Sequence, residues 1–153
     1  MSYTTIEQSK KLLELGVNSD SADMCYKTID VDNAESDEDC VFDLVHRPYS
    51  EYLKYVGPMG LDYKAIPCWS TEALLQLLPK AITSKRTGYK YTFALHPGAV
   101  KKWYICYERD VEPYNERNST ITVFTDDSLV NAAYEMKLWL SENNDRIENI
   151  VWI

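Results

Sequence analysis

The sequence predicts an α+β domain in which an antiparallel sheet of three to four strands carries helices packed on one face. Three observations predict it. A capped amphipathic segment opens the chain. Aromatic residues alternate at every second position through the middle, around a turn. A segment near the end places apolar residues at helical spacing.

Thr4 followed by Glu7 reads as a capping box, each side chain satisfying the other residue's backbone N–H. Ile6, Leu12, Leu13 and Leu15 follow at mostly helical spacing, and Gly16 is a natural stop. A helix is expected over 5–15. A second, shorter helix is expected from Ser19 or Asp20 through Met24 to Tyr26. Cys40–Val45 is rich in β-formers and ends before Pro48, so it is a candidate strand. Residues 28–65 otherwise read as a long, loop-rich segment inside one domain spanning 1–153.

Ser70 opens another helix, Thr71 to Leu78. Ala73, Leu74, Leu75, Leu77 and Leu78 make it apolar almost all round, which implies burial. Pro79 terminates it. Then the period becomes two. Tyr89, Tyr91, Phe93 and Leu95 alternate, His96-Pro97-Gly98 turns, and Trp103, Tyr104, Ile105 and Tyr107 follow. This predicts a hairpin, 88–95 and 101–108. Its aromatic side is expected to face the core, with Lys90 and Lys102 on the outer side. Thr120–Phe124 supplies a third strand, antiparallel to the second because the link is short.

Asp126 or Asp127 is expected to cap the closing helix. Leu129, Ala132, Ala133, Met136 and Leu140 fall at i, i+3, i+4, i+7 and i+11, with Trp139 on the flank. The helix ends near Asn143-Asn144. The tail Ile150-Val151-Trp152-Ile153 is apolar and β-prone. The four tryptophans, 69, 103, 139 and 152, are expected to anchor the core.

The chain has 153 residues, 45% of them hydrophobic, which is a globular composition. Its start lacks a basic cap and an apolar stretch, so no signal peptide is expected and the protein reads as soluble and cytoplasmic. Sixteen bases against twenty-four acids give a net charge of −8. The imbalance is segmental. Seven acids and no base lie between Asp30 and Asp43. Six bases and no acid lie between Ala73 and Tyr107.

Within the acidic run, Asp30-x-Asp32 invites comparison with a calcium loop. The remaining loop positions hold Ala34, Glu35 and Val41, so the pattern fails and a solvated loop without specific metal binding is expected. Cys25, Cys40, Cys68 and Cys106 include no C-x-x-C pair, which disfavours zinc ribbons and redox motifs. Cys68, just before a helix, is the best-placed nucleophile, yet neither His46 nor His96 is placed by its neighbours to serve it as a base. The two histidines and the scattered acids show no i,i+4 or hairpin spacing, so no metal is expected. Phosphate-cradling glycine motifs and G-x-S-x-G are absent from the sequence. No catalytic residue and no cofactor are assigned.

Three stretches taken together carry a resemblance. They are Thr4-Thr5-Ile6-Glu7-Gln8-Ser9 to Gly16 with Ser21-Ala22-Asp23-Met24; Ile66-Pro67-Cys68-Trp69-Ser70 with Ala73 to Pro79; and Val130 to Asn143. The chain resembles a group of small acidic proteins of Bacteroides-type gut bacteria and their prophages, least so over 28–65. That group has no established activity, substrate or cofactor. The resemblance therefore implies a mobile-element setting and carries over no functional residue. A small residue such as Ala often replaces Cys68 in the group, which the resemblance turns against a catalytic thiol.

The expected function is that of a non-catalytic protein-interaction protein, with an unknown protein partner, no membrane, and a monomer or weak homodimer. The alternative is a nucleic-acid-binding module using the basic hairpin 80–102. The candidate interaction surface is Lys85, Arg86, Lys90, Lys101 and Lys102 on the basic side and Asp37, Glu38 and Asp39 on the acidic one. Separation of bases from core-facing aromatics weakens a stacking platform for nucleic acid.

Overall fold

A computed structural model describes residues 2–28, 42–56, 65–98, 100, 102–111 and 119–151. The described contacts group into two compact units, one over Tyr3–Ala73 and one formed by Leu74–Ile153 with Met1–Ser2. Helix, strand and antiparallel sheet are all present, as the α+β reading expects. The sheet count differs: there is one sheet of three strands and one of five. Among the described residues, no helix is long and apolar enough to cross a membrane.

The first unit opens with helix α1, Ile6–Glu14. Its capping box is one residue later than the sequence suggests. Thr5 accepts from the Gln8 backbone N–H, and the Gln8 side chain accepts from the Thr5 backbone N–H. Thr4 is buried instead. A 3-10 turn, Ser19–Ser21, precedes strand β1, Met24–Thr28. The second helix expected here is thus a turn and a strand. β1 is the middle strand between β2 (Phe42–Val45) and β3 (Ala65–Cys68), antiparallel to both. Met24 and Tyr26 cluster with Ile66 and Cys68, and Ile6 of α1 packs on that cluster. Helix α2, Tyr49–Val56, packs against β1 and β3. A strand covered in this way shows no polar alternation, so its sequence mimics a short buried helix. Pro67 sits in β3 at the sheet edge, where a missing N–H is tolerated. The segment 28–65 therefore contains β2, α2 and the start of β3. Cys40, Val41 and the acids from Asp30 to Asp39 lie outside the described residues.

Helix α3, Thr71–Gln76, carries the chain from the first unit into the second. Ser70 caps it, accepting from the Ala73 N–H at 3.2 Å.

The second unit is built on five strands: β4 (Ala81–Ser84), β5 (Lys90–Pro97), β6 (Trp103–Glu108), β7 (Thr120–Asp126) and β8 (Ile147–Val151). Their spatial order is β7-β6-β5-β4-β8 and every pairing is antiparallel. The hairpin and third strand lie where the aromatic alternation puts them, and the apolar tail contributes β8. β4 was not foreseen; it is four residues long and mostly buried, so it too lacks alternation. Strand β5 runs on through His96 and Pro97, which the sequence reading gave to the turn. A Cβ at Gly98 would overlap the Tyr104 ring, so a larger residue there would force that ring to move.

Helix α4, Leu129–Glu142, packs on β6 and β7. Its cap is Ser128, which accepts from the Asn131 N–H, in place of Asp126 or Asp127. Val130, Ala132, Ala133, Met136 and Leu140 are its buried face, while Leu129 is only half-buried. Tyr91, Ile105 and Tyr107 are buried, and Phe93 meets Tyr107 edge to face at 5.8 Å. The expected core-facing aromatic side is thus real in mid-strand and fails at the strand ends. Tyr89, just before β5, and Leu95 and Trp103 toward the β5–β6 turn are exposed. Trp69 is fully buried as expected. Trp103 is not a core anchor.

Candidate functional site

The second unit holds a cavity of about 830 Å³ at one end of its sheet. Among the described residues five chain segments build it, one of them the start of β7 with Thr120 and Ile121. The β4–β5 turn supplies Lys85, Arg86, Thr87 and Tyr89; the end of β6 supplies Arg109; the C-terminal turn of α4 supplies Trp139 and Asn143; and the link into β8 supplies Asp145 and Arg146.

Local chemistry fixes each segment. Gly88 has φ +74°, a left-handed conformation that lets the β4–β5 turn close. The Gly88 N–H donates to the Ser84 carbonyl at 2.8 Å, and the Tyr89 N–H donates to the Thr87 hydroxyl at 3.2 Å. Asn143 ends α4, its backbone N–H and its side-chain amide both donating to the Trp139 carbonyl at 2.9 Å. The Arg146 N–H donates to Asn143, and the Lys85 N–H donates to the Arg146 carbonyl at 2.9 Å. This last bond ties the basic turn to the α4–β8 link. Lys85, Arg86 and Arg146 are held around one concavity by backbone, with their side chains exposed.

The Arg109 guanidinium lies 4.0 Å over the Tyr89 ring, a cation–π stack. Tyr89 remains 47% exposed. Tyr91 and Trp139, buried and half-buried, add apolar wall. Among the described residues, the lining sets one carboxylate, Asp145, against four cations. The carbonyl end of α4 adds partial negative charge, which the nearby cations offset. In a chain of net charge −8, this is a local reversal of sign.

The expected basic surface is only partly assembled here. Lys85 and Arg86 line the cavity. Lys90 and Lys102 are exposed and are not part of its wall. Lys101, Asp37, Glu38 and Asp39 lie outside the described residues. The sequence reading missed Arg109, Arg146, Trp139 and Asn143. Arg109 follows Glu108, an acid that ended the basic run, and Arg146 is some forty residues further on. A five-strand order that places β8 beside β4 is what brings them together.

Cys68 is fully buried, and burial raises its thiol pKa, with the Thr4 hydroxyl lowering it only in part. Its S–H donates to the Thr4 carbonyl at 3.4 Å. A protonated, enclosed thiol is a packing group. His46 is exposed, and His96 pairs with Glu108.

No family model matches the chain, and neither a curated protein nor a solved structure does.

Proposed function

We propose that the protein is a non-catalytic binding protein whose recognition site is the basic cavity, and that its ligand is a nucleoside phosphate, free or at the end of a single strand. One observation carries the reading: three cations, Lys85, Arg86 and Arg146, line a concavity of about 830 Å³ that also presents the Tyr89–Arg109 stack and Trp139. The volume is that of a site for a ligand of nucleotide size. Cations neutralise phosphate oxygens, and aromatic or guanidinium planes accept a base. The mobile-element setting implied by the resemblance is compatible with such a ligand and does not select it.

Titration of the full chain with inorganic phosphate, a nucleoside monophosphate and a fluorescent single-stranded oligonucleotide, at two salt concentrations, tests this. The nucleotide or the oligonucleotide is expected to saturate the site with Kd of about 10 µM or tighter, weakening with salt. Saturation by the mononucleotide identifies the free ligand. Saturation by the strand alone identifies a strand end. Absence of saturation by both contradicts the proposal.

A second reading, protein binding, is favoured by the exposed apolar tip of the β5–β6 hairpin. Leu95, Val100, Trp103 and Tyr104 are all exposed there. Exposed Trp and Tyr side chains are typical anchors of protein contacts. A second copy of the chain is the first occupant to test. Sedimentation equilibrium should show a concentration-dependent dimer that Trp103→Ser weakens, and a monomer at all concentrations contradicts self-association through the tip.

A further inference from the structure

On the outer face of the β5–β6 hairpin three side chains of different chemistry converge. His96 of β5 with Cys106 and Glu108 of β6 bring an imidazole nitrogen, a sulfur and a carboxylate oxygen within 4.8 Å of one another. The strand register explains how. Ala94 stands directly across from Cys106, Thr92 across from Glu108, and Tyr104 across from His96. His96 and Glu108 therefore lie two residues to either side of the Ala94–Cys106 pair. Their long side chains lean toward each other over that pair, until His96 Nε2 is 3.2 Å from Glu108 Oε2. A methyl group and a thiol beneath them leave room for this. Cys106 Sγ then lies 3.6 Å from the same carboxylate oxygen.

The two separations from the carboxylate, 3.2 and 3.6 Å, match those between neighbouring donors of a coordination sphere, and the imidazole and sulfur, within 4.8 Å of each other, need only a small side-chain adjustment to join it. Zinc binds N and O donors at about 2.0–2.2 Å and S at about 2.3 Å, so neighbouring donors on a tetrahedron stand about 3.3–3.6 Å apart. The donor set also has the right softness. A thiolate, an imidazole and a carboxylate suit zinc or a similar borderline ion, whereas calcium and magnesium take oxygen ligands. Thiolate and carboxylate together balance a divalent charge. Cys106 is 3% exposed, while the His96 side chain is 53% exposed, so the site has a buried floor and an open side for a solvent ligand.

We propose that His96, Cys106 and Glu108 form a three-ligand zinc site completed by solvent. On binding, the Cys106 S–H bond breaks, its proton passes to solvent, and the sulfur bonds the metal. In the metal-free protein His96 and Glu108 are hydrogen-bonded to each other beside the Cys106 thiol. The site is independent of the basic cavity. Sequence spacing alone predicts no metal site here, because it is the observed strand register that puts His96 on the same face as Cys106 and Glu108.

The test uses the full chain without an affinity tag. Zn²⁺ is titrated against a chromophoric chelator, and Co²⁺ is followed by absorption. One equivalent is expected to bind with sub-micromolar affinity, and Co²⁺ should give a thiolate charge-transfer band. Cys106→Ser should abolish that band with Cys25 and Cys68 still present, and His96→Asn or Glu108→Gln should weaken Zn²⁺ binding about tenfold or more. His96 is largely exposed, so its variant reports even where the buried Cys106 position does not tolerate change. Unchanged affinity in the His96 and Glu108 variants, or no uptake by the folded protein at 100-fold higher metal concentration, overturns the proposal.

Discussion

Thr4 and Trp69 are joined by a reciprocal pair of hydrogen bonds. The Thr4 N–H donates to the Trp69 carbonyl at 2.9 Å, and the Trp69 N–H donates to the Thr4 hydroxyl at 3.1 Å. The same threonine serves more partners. Its hydroxyl shares a hydrogen bond with Ser9 at 2.8 Å, and its carbonyl accepts from the Tyr26 hydroxyl at 2.7 Å. Thr4 and Trp69 are fully buried, so every one of these groups depends on a protein partner. Thr4 thereby links α1, β1 and the end of β3 in the first unit.

Thr4→Val keeps the shape and removes the hydroxyl. Trp69 N–H and Ser9 then lose a buried partner, at a cost of about 1–3 kcal/mol. A lowered urea midpoint checks it. An unchanged midpoint would show that Thr4 is only filling space.

Met136 lies on the buried face of α4 and is fully enclosed. Met136→Ala should destabilise the protein by about 2–5 kcal/mol. Leu129→Ala, at the half-buried end of the same helix, should cost clearly less. Equal shifts for the two would contradict the helix face described above.

The Tyr107 hydroxyl donates to the Pro79 carbonyl at 2.6 Å, and burial pushes the Tyr107 pKa well above its usual value. Tyr107→Phe leaves that carbonyl without this donor, for about 1–3 kcal/mol. The denaturant midpoint reports the loss.

Alkaline pH should act on the first unit through Cys25. Burial first, and then the neighbouring Cys68, push its thiol from 9.0 to about 11. A pKa raised on folding gives stability that is intact below 9.0 and lost as pH rises toward 11, because the unfolded chain releases the proton first. Unfolding free energy measured from pH 8 to 11 should fall, and Cys25→Ala should fall less steeply. Parallel profiles would contradict this assignment.

Legibility followed alternation. The closing helix and the β5–β6 hairpin have one buried and one open side, so Met136, Tyr91 and Ile105 could be placed by spacing alone. β1 and β4 are interior strands buried over most of their length, and Met24-Cys25-Tyr26 and Ala81-Ile82 carry no period to read. α1 was found but Thr4 was misassigned, because two adjacent threonines each precede a residue able to complete a box. Lys85, Arg86 and Tyr89 were visible as local sequence. Arg109 and Arg146 were not, since their meeting depends on β8 returning beside β4.

The proposed anion recognition belongs to the cavity and not to the basic strip as a whole. Two double variants separate these. Lys85→Glu with Arg146→Glu reverses charge inside the cavity, and Lys90→Glu with Lys102→Glu makes the same charge change outside it. Equilibrium titration of both with the ligand that saturates the parent is the decisive measurement. Affinity should fall about 100-fold or more with the first pair and less than about fivefold with the second, both proteins keeping the parent's circular dichroism. Equal losses from the two pairs, or a larger loss from the second, would contradict it.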